Sequence, residues 1–197
     1  MNRPRTLAPL ALCLVLATGA CSGGDEPEAK PTKTSATPAP TVPVQPQGEF
    51  GVTYDVQNWD EIAKDDDKLE VVAAWKKANE AAAASYNERK LLGAVRESYN
   101  RKMQRVYAKA LKTGWSKKYT VRETGIVDVQ SVSVDGSNAT LVACNWKPST
   151  DLYQGRKMVG GLEQSWRKHT AKLTKSSDKW TVVDVVETSD CKGLRAP

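Results

Sequence analysis

The spacing of apolar residues changes once along the chain, close to Trp115, and this change limits the fold more than any other feature. Before Trp115, apolar residues recur every three or four positions, which is the period of a helix. After it, apolar and polar residues alternate, which is the period of a strand. Because helices precede strands, the sequence predicts an α+β domain in which N-terminal helices pack on a curved antiparallel sheet of about four strands.

Two main helices are expected in the first half of the domain. Three aspartates at 65–67 suit the positive end of a helix dipole, and a stripe of small residues around Trp75 follows at helical spacing. A break is expected near Asn87, and a second helix over 97–112. Gly114 lies where a glycine commonly ends a helix. The side of this second helix that is expected to be buried consists of Tyr99, Met103, Val106, Tyr107 and Ala110.

Four strands are predicted in the second half of the chain, over 119–134, 138–147, 162–174 and 179–187. These segments are rich in β-branched residues. Asp135-Gly136 between the first two is typical of a hairpin turn. A polar turn at 176–178 is expected to join the last two strands.

Residues 1–20 are typical of a signal peptide. Two arginines precede an apolar stretch over 7–20, which is shorter than the roughly 20 residues that a membrane-spanning helix needs. The sequence Thr18-Gly19-Ala20-Cys21 resembles the lipobox of bacterial lipoproteins, although that family usually has leucine where this chain has Thr18. The resemblance implies that Cys21 becomes the lipid-modified first residue of the mature chain. The alternative is an ordinary secretory signal that is cleaved nearby.

The segment 21–48 is expected to be a disordered linker. It holds six of the ten prolines, with Ser, Thr, Ala and Gln between them, and it lacks the apolar residues that a core needs. A lead-in segment with a short helix is expected over 49–64, and the folded domain over 65–197. This order predicts a domain that stands off the membrane on a Pro-rich tether.

The four cysteines are not expected to share one role. Cys13 leaves with the signal peptide and Cys21 is lipid-modified, so that Cys144 and Cys191 remain. Two remaining cysteines in an extracytoplasmic chain are expected to form a disulfide, with a redox pair as the alternative. One histidine and four cysteines exclude most multi-ligand zinc sites, and no metal or cofactor is predicted.

The predicted elements follow a definite order. A helix of small residues with Trp75 and Tyr86 comes first, and the helix that Gly114 is expected to end comes second. The strand segment SVSVDGSNATLVAC comes next, and the chain then has DKWTVVDVV shortly before Cys191. This order, over about 65–191, resembles the extracytoplasmic members of the nuclear transport factor 2-like superfamily. The resemblance implies a cone of sheet wrapped around helices. Isomerases, dehydratases and cyclases of that superfamily use an Asp or His base with Tyr donors inside the cone, whereas other members have no known chemistry. Fold alone therefore leaves both function classes open.

Six residues are candidates for a pocket or its mouth in such a cone: Trp75, Tyr86, Tyr107, Asp128, Trp146 and Trp166. The helices offer Tyr86, Tyr99 and Tyr107, and the strands offer Asp128, His169 and Asp184; burial of one such pair would give an acid and a base with useful pKa values, although no spacing among them is distinctive. The alternative is that the aromatic residues pack in the core. His169 is expected at the surface or rim, and neither Asp128 nor Asp184 can be assigned to a face without the strand register.

Positive charge is concentrated between residues 85 and 122, where eleven Lys or Arg stand against two Glu. The side of the second helix that is expected to lie opposite Met103 and Val106 contains Lys102, Arg105, Lys109 and Lys112. This pattern predicts either a face for an anionic partner or an ordinary solvated helix surface. Nucleic acid is not an expected partner of a secreted chain.

Together these features predict a lipid-anchored protein on the extracytoplasmic side of the cell membrane. Its expected role is non-catalytic: binding an envelope protein or a small ligand. Two alternatives remain open. One is a small-molecule enzyme of the isomerase, dehydratase or cyclase type with an Asp/Tyr pocket, and the other is an electrostatic binder of anionic wall polymer or lipid headgroups.

Overall fold

The structure is a computed structural model that describes residues 42–161, 163–188, 191 and 193–197. The signal peptide, Cys21 and most of the predicted linker lie outside these residues. The described part forms an α+β domain, as predicted. Its helices are α1 (Trp59–Ile62), α2 (Asp66–Asn87), α3 (Gly93–Ser98), α4 (Arg101–Ser116) and α5 (Lys147–Thr150). Its strands are β1 (Thr53–Val56), β2 (Thr124–Asp135), β3 (Asn138–Trp146), β4 (Tyr153–Gln154), β5 (Lys157–Met158), β6 (Trp166–Ser176) and β7 (Lys179–Thr188).

The main sheet has five strands in the order β1-β2-β3-β6-β7. The four predicted strands are present, but the prediction of a wholly antiparallel sheet is wrong, because β1 is a fifth strand that runs parallel to β2. This strand is only four residues long, and its Thr53 faces Thr124, far along the chain. Its pairing therefore leaves no local pattern in the sequence. The short β4 and β5 form a separate two-stranded ribbon.

The long helix α2 begins as predicted. Asp65 is its N-cap, and its side chain accepts a hydrogen bond from the Lys68 backbone N–H at 3.2 Å. Val71, Trp75 and Ala78 on this helix have no exposed surface and belong to the main core. The small residues that follow Trp75 allow α2 to lie close to the sheet and to the neighbouring helices.

The second predicted helix, over 97–112, corresponds to α4, but it begins four residues later than predicted, since residues 97 and 98 belong to α3. The break falls between α3 and α4, where Asn100 caps α4 by accepting from Met103 N–H at 2.8 Å and also donates to β7 at Val183 O. Gly114 does not end α4, which continues to Ser116. Gly114 is instead buried against Tyr86, whose ring a Cβ at this position would overlap.

The two sides of the sheet have separate apolar clusters. The side that faces the helices holds the main core, including Val127, Leu141 and Ala171. The opposite side holds Cys144 with Trp146 and Trp166, packed against the C-terminal residues. The predicted disulfide is present: Cys144 is bonded to Cys191, with 6.0 Å between their Cα atoms.

The last residues of the predicted linker contact the domain. The Trp59 indole donates to Pro43 O at 2.7 Å, and Gln45 Oε1 accepts from the Val56 backbone N–H at 2.7 Å. Lys76 Nζ donates to Pro46 O at 2.7 Å. The boundary expected between residues 48 and 49 therefore falls inside a segment that is already part of the packed structure.

Candidate functional site

The helix-facing side of the sheet changes from apolar to polar along its strands. On β6, Ala171 belongs to the core, and the next two residues on the same side are His169 and Arg167. On the neighbouring strands, Asn145 of β3 lies opposite Arg167, and Glu187 of β7 lies opposite His169. Polar side chains from three strands therefore meet at one end of this side.

Glu187 holds this cluster together. His169 Nε2 lies 3.1 Å from Glu187 Oε2, and Arg167 Nη1 donates to Glu187 Oε1. The pKa of Glu187 is lowered to about 2, mainly by the hydrogen bond from His169. The hydrogen bond from Arg167 lowers this pKa further, whereas partial burial raises it. Glu187 is therefore a carboxylate at neutral pH, and it orients the His169 ring.

Tyr54 of β1 and Lys147 of α5 lie next to this cluster. Tyr54 is buried, and its ring packs edge-on against Trp75, with 6.2 Å between the ring centroids. This burial raises the pKa of the Tyr54 hydroxyl well above its usual range. Lys147 is also buried, and its ammonium group binds Glu163 at 2.5 Å. The positive charges of this cluster thus already have carboxylate partners.

These residues enclose a polar cavity of about 120 Å³. Its lining consists of Tyr54, Asn145, Lys147, Thr150, Asp151, Arg167, His169 and Glu187. The Glu187 side chain is 44% exposed, so the cavity has a route to solvent beside it. We call this the polar cavity.

Two buried polar atoms of the polar cavity have no hydrogen-bond partner among the described residues: Asn145 Oδ1 and His169 Nδ1. Asn145 is only 2% exposed. In a neutral His169 ring that donates to Glu187 through Nε2, Nδ1 carries the lone pair and accepts; in the charged ring both nitrogens donate. Buried polar atoms are nearly always bonded in folded proteins, to protein or to another molecule. A third such atom, Trp75 Nε1, lies in the core and not in this lining.

A tyrosine pair lies on the helix side of the domain. The hydroxyl groups of Tyr99 and Tyr107 are 3.3 Å apart, and their ring centroids are 4.6 Å apart. Burial raises the pKa of Tyr107, and the negative charge of Glu187 adds to this rise. Both hydroxyls are therefore protonated at neutral pH.

The structure does not bring the six predicted pocket residues together. Trp75 is in the core, Tyr86 packs on Gly114, and Tyr107 packs against Tyr99. The prediction that Asp128, Trp146 and Trp166 line the same pocket is corrected by the structure. They occupy the side of the sheet away from the helices, because their strand positions alternate with core residues.

These three residues have partners on that opposite side. Asp128 accepts a hydrogen bond from the Gln130 side chain. The rings of Trp146 and Trp166 pack 5.4 Å apart beside the disulfide, and the Trp166 indole donates to Arg195 O at 2.9 Å. The two tryptophans are thus covered by the C-terminal segment instead of lining a cone mouth.

His169 is more enclosed than predicted: its side chain is 18% exposed, at a wall of the polar cavity. Asn145, Lys147 and Glu187 were not predicted as site residues at all. One sequence signal points to this end of the sheet, although not to these three residues. Along β6 the residues of core parity change from apolar, at Leu173 and Ala171, to polar.

The four basic residues predicted on the second helix are all exposed on α4. Lys102 Nζ lies 3.4 Å from Asp184 Oδ1 of β7, and both side chains are solvent-accessible. Val106 was expected on the buried side but is 53% exposed, and it borders the basic residues. The buried side of α4 contains Met103, Leu111 and Gly114.

A buried ion pair lies in α2 that the sequence pattern did not reveal. Lys76 and Glu80 bind each other, with side chains only 1% and 5% exposed. Glu80 also accepts from the Tyr54 backbone N–H at 2.7 Å. Burial raises the pKa of Glu80, although the hydrogen bonds from Lys76 and Tyr54 oppose the rise. A Lys and a Glu four residues apart on a helix usually form an exposed pair. Here the end of the predicted linker, which includes Pro46, covers Lys76 and Glu80.

No group of three or more potential metal ligands occurs within the part of the chain that the structure describes.

No protein-family model and no curated protein matches this chain. Among solved structures, it is similar to the crystal structure of the intermembrane space region of the chloroplast protein ARC6. The two share 13% sequence identity, with a TM-score of 0.36, over 61% of this chain and 92% of that one. At this TM-score the similarity supports no conclusion about fold family or function.

Proposed function

We propose that this protein is a lipoprotein, anchored through Cys21 on the extracytoplasmic side of the membrane, whose domain is a non-catalytic binding module. The arginines, apolar stretch and Thr18–Cys21 motif support the anchor. The Cys144–Cys191 disulfide supports an oxidising compartment. Within the described residues, no helix has the length and apolar character needed to cross a membrane.

The binding role rests on one observation: Asn145 Oδ1 and His169 Nδ1 are buried in the same cavity without a described partner. Leaving such a group unbonded costs about 1–3 kcal/mol. Water in the cavity recovers part of this free energy, and a ligand that donates to both atoms at once replaces that water. Binding is favoured over the Asp/Tyr enzyme because Asp128 lies on the other side of the sheet from the buried tyrosines.

The cavity also defines the class of ligand. Its volume of about 120 Å³ equals that of about four water molecules, so the ligand, or the part that enters, is small. The charges of Arg167, Lys147 and Glu187 are paired within the protein. Asp151 adds a carboxylate to the lining, and the two atoms without a described partner, Asn145 Oδ1 and Nδ1 of a neutral His169, are acceptors. We therefore propose a small neutral molecule with hydroxyl or amide donors.

Mass spectrometry of the full chain extracted from its own membranes tests both parts of the proposal. Under denaturing conditions, we expect a chain that begins at Cys21 and has the added mass of acyl groups. Under native conditions, we expect a further small mass, which Asn145→Leu removes because leucine cannot accept the ligand's hydrogen bond.

Asn58→Leu is the matched control, since the hydrogen bonds described for the Asn58 side chain go to the backbone of Val129, and that variant should keep the ligand. An unmodified chain that begins elsewhere would contradict the anchor alone. A chain without added mass in the native state, or a mass that Asn145→Leu retains, would contradict the binding site alone.

A further inference from the structure

One side of α4 is a continuous basic surface. It consists of Arg101, Lys102, Arg105, Lys109 and Lys112, all exposed, and we call it the basic face. At 100° per residue these five lie within an arc of about 100°, and they extend about 17 Å along the helix. Met103 and Leu111 lie on the opposite, buried side.

The fold itself gives no reason for this arrangement. The sixteen residues of α4 include no acidic side chain, and Lys102–Asp184, at 3.4 Å, is the one ion pair that the described residues provide for the basic face. Arg101, Arg105 and Lys109 follow one another at four-residue spacing, where like charges destabilise a helix. A surface that only needs to be solvated commonly has opposite charges at this spacing.

We propose that the basic face docks on the anionic lipid headgroups of the membrane that holds the anchor. This rests on the proposed attachment through Cys21. Residues 22–41 separate that cysteine from the described domain, and even in an extended polyproline conformation they span only about 60 Å. The domain therefore stays close to the membrane, and weak contacts act at a high effective concentration.

An apolar residue beside the basic face favours lipid over a polymer of the wall. Val106 is 53% exposed at its edge, and an apolar side chain next to cations can enter the boundary between headgroups and acyl chains. A soluble polyanion offers such a side chain no apolar partner. The attraction to anionic headgroups is electrostatic, so added salt weakens it.

Vesicle co-sedimentation with the secreted full chain that carries Cys21→Ser tests the proposal without any contribution from an acyl group. We expect binding to vesicles of phosphatidylglycerol and phosphatidylcholine at low salt, and none to phosphatidylcholine alone. Lys102→Glu/Arg105→Glu/Lys109→Glu should weaken binding by about 100-fold or more, because each cation at an anionic surface contributes about fivefold.

Lys64→Glu/Lys157→Glu/Lys172→Glu is the matched control, since it makes the same change of net charge at exposed lysines outside α4 and should retain most of the binding. If the α4 triple variant does not fold, Arg105→Gln/Lys109→Gln replaces it and should weaken binding by about 25-fold. Equal loss in the two triple variants, no binding to the anionic vesicles, or binding to purified anionic wall polymer but not to vesicles would overturn the proposal. Because Cys21 is absent from every variant, each of these outcomes leaves the proposed anchor untouched.

Discussion

Lys76→Met is expected to lower the free energy of unfolding by about 3–5 kcal/mol, because it leaves the Glu80 carboxylate buried without its counterion. Lys76 is 1% exposed and binds both Glu80 and Pro46 O, so the variant also releases the linker end. Urea unfolding, followed through tryptophan fluorescence, measures the loss. The burial that raises the pKa of Glu80 predicts a pH effect: the loss should shrink as the pH falls from 7 to 5, where the carboxyl group can take up a proton in the folded variant.

Lys77→Met is the matched control on the next residue of α2. Its partner is Glu49, and the two side chains are 48% and 59% exposed, so its loss should not exceed about 1 kcal/mol. The double variant Lys76→Met/Glu80→Gln should recover much of the stability, since glutamine still accepts from the Tyr54 N–H. Equal losses in the Lys76 and Lys77 variants, or no recovery in the double variant, would show that the pair is not buried in solution.

Cys144→Ala/Cys191→Ala is expected to lower the free energy of unfolding by about 4 kcal/mol, from the loop-closure entropy of the chain between them. The two cysteines are 47 residues apart, and their bond attaches the C-terminal segment to the sheet. We also expect a change in tryptophan fluorescence, because Trp166 donates to Arg195 O in that segment. The same urea experiment measures both effects.

Reduction of the native chain should reproduce the unfolding curve of this double variant. A loss below about 1 kcal/mol, or titratable free thiols at both positions in the unreduced, unfolded chain, would contradict the disulfide and weaken the case for an oxidising compartment.

Local patterns predicted the elements of this fold well. The period of α2, its acidic start and the Asp135-Gly136 turn all lie within a few neighbouring residues, and each is found in the structure. The errors concern contacts between distant segments. The parallel pairing of β1 with β2 and the close approach of Gly114 to Tyr86 depend on residues far apart in the chain.

The polar cavity was missed for the same reason. Asn145, His169 and Glu187 come from three strands, and only the strand register shows that they share a side of the sheet. Asp128, Trp146 and Trp166 have the opposite parity, which a single strand pattern does not reveal. The segment at 42–48 was predicted as free linker because its prolines cannot form a core, yet its backbone oxygens and Gln45 bind the domain.

The free energy of unfolding of Asn145→Leu tests most directly the claim that the polar cavity is kept for a ligand. In the ligand-free chain, obtained by refolding from denaturant, water in the cavity can donate to Asn145 Oδ1, so we expect Asn145→Leu to change the free energy of unfolding by less than about 1 kcal/mol. Asn58→Leu, which removes two bonds to Val129, should lose about 1–3 kcal/mol. A comparable loss in Asn145→Leu would mean that Asn145 is bonded within the fold, and it would contradict the binding site.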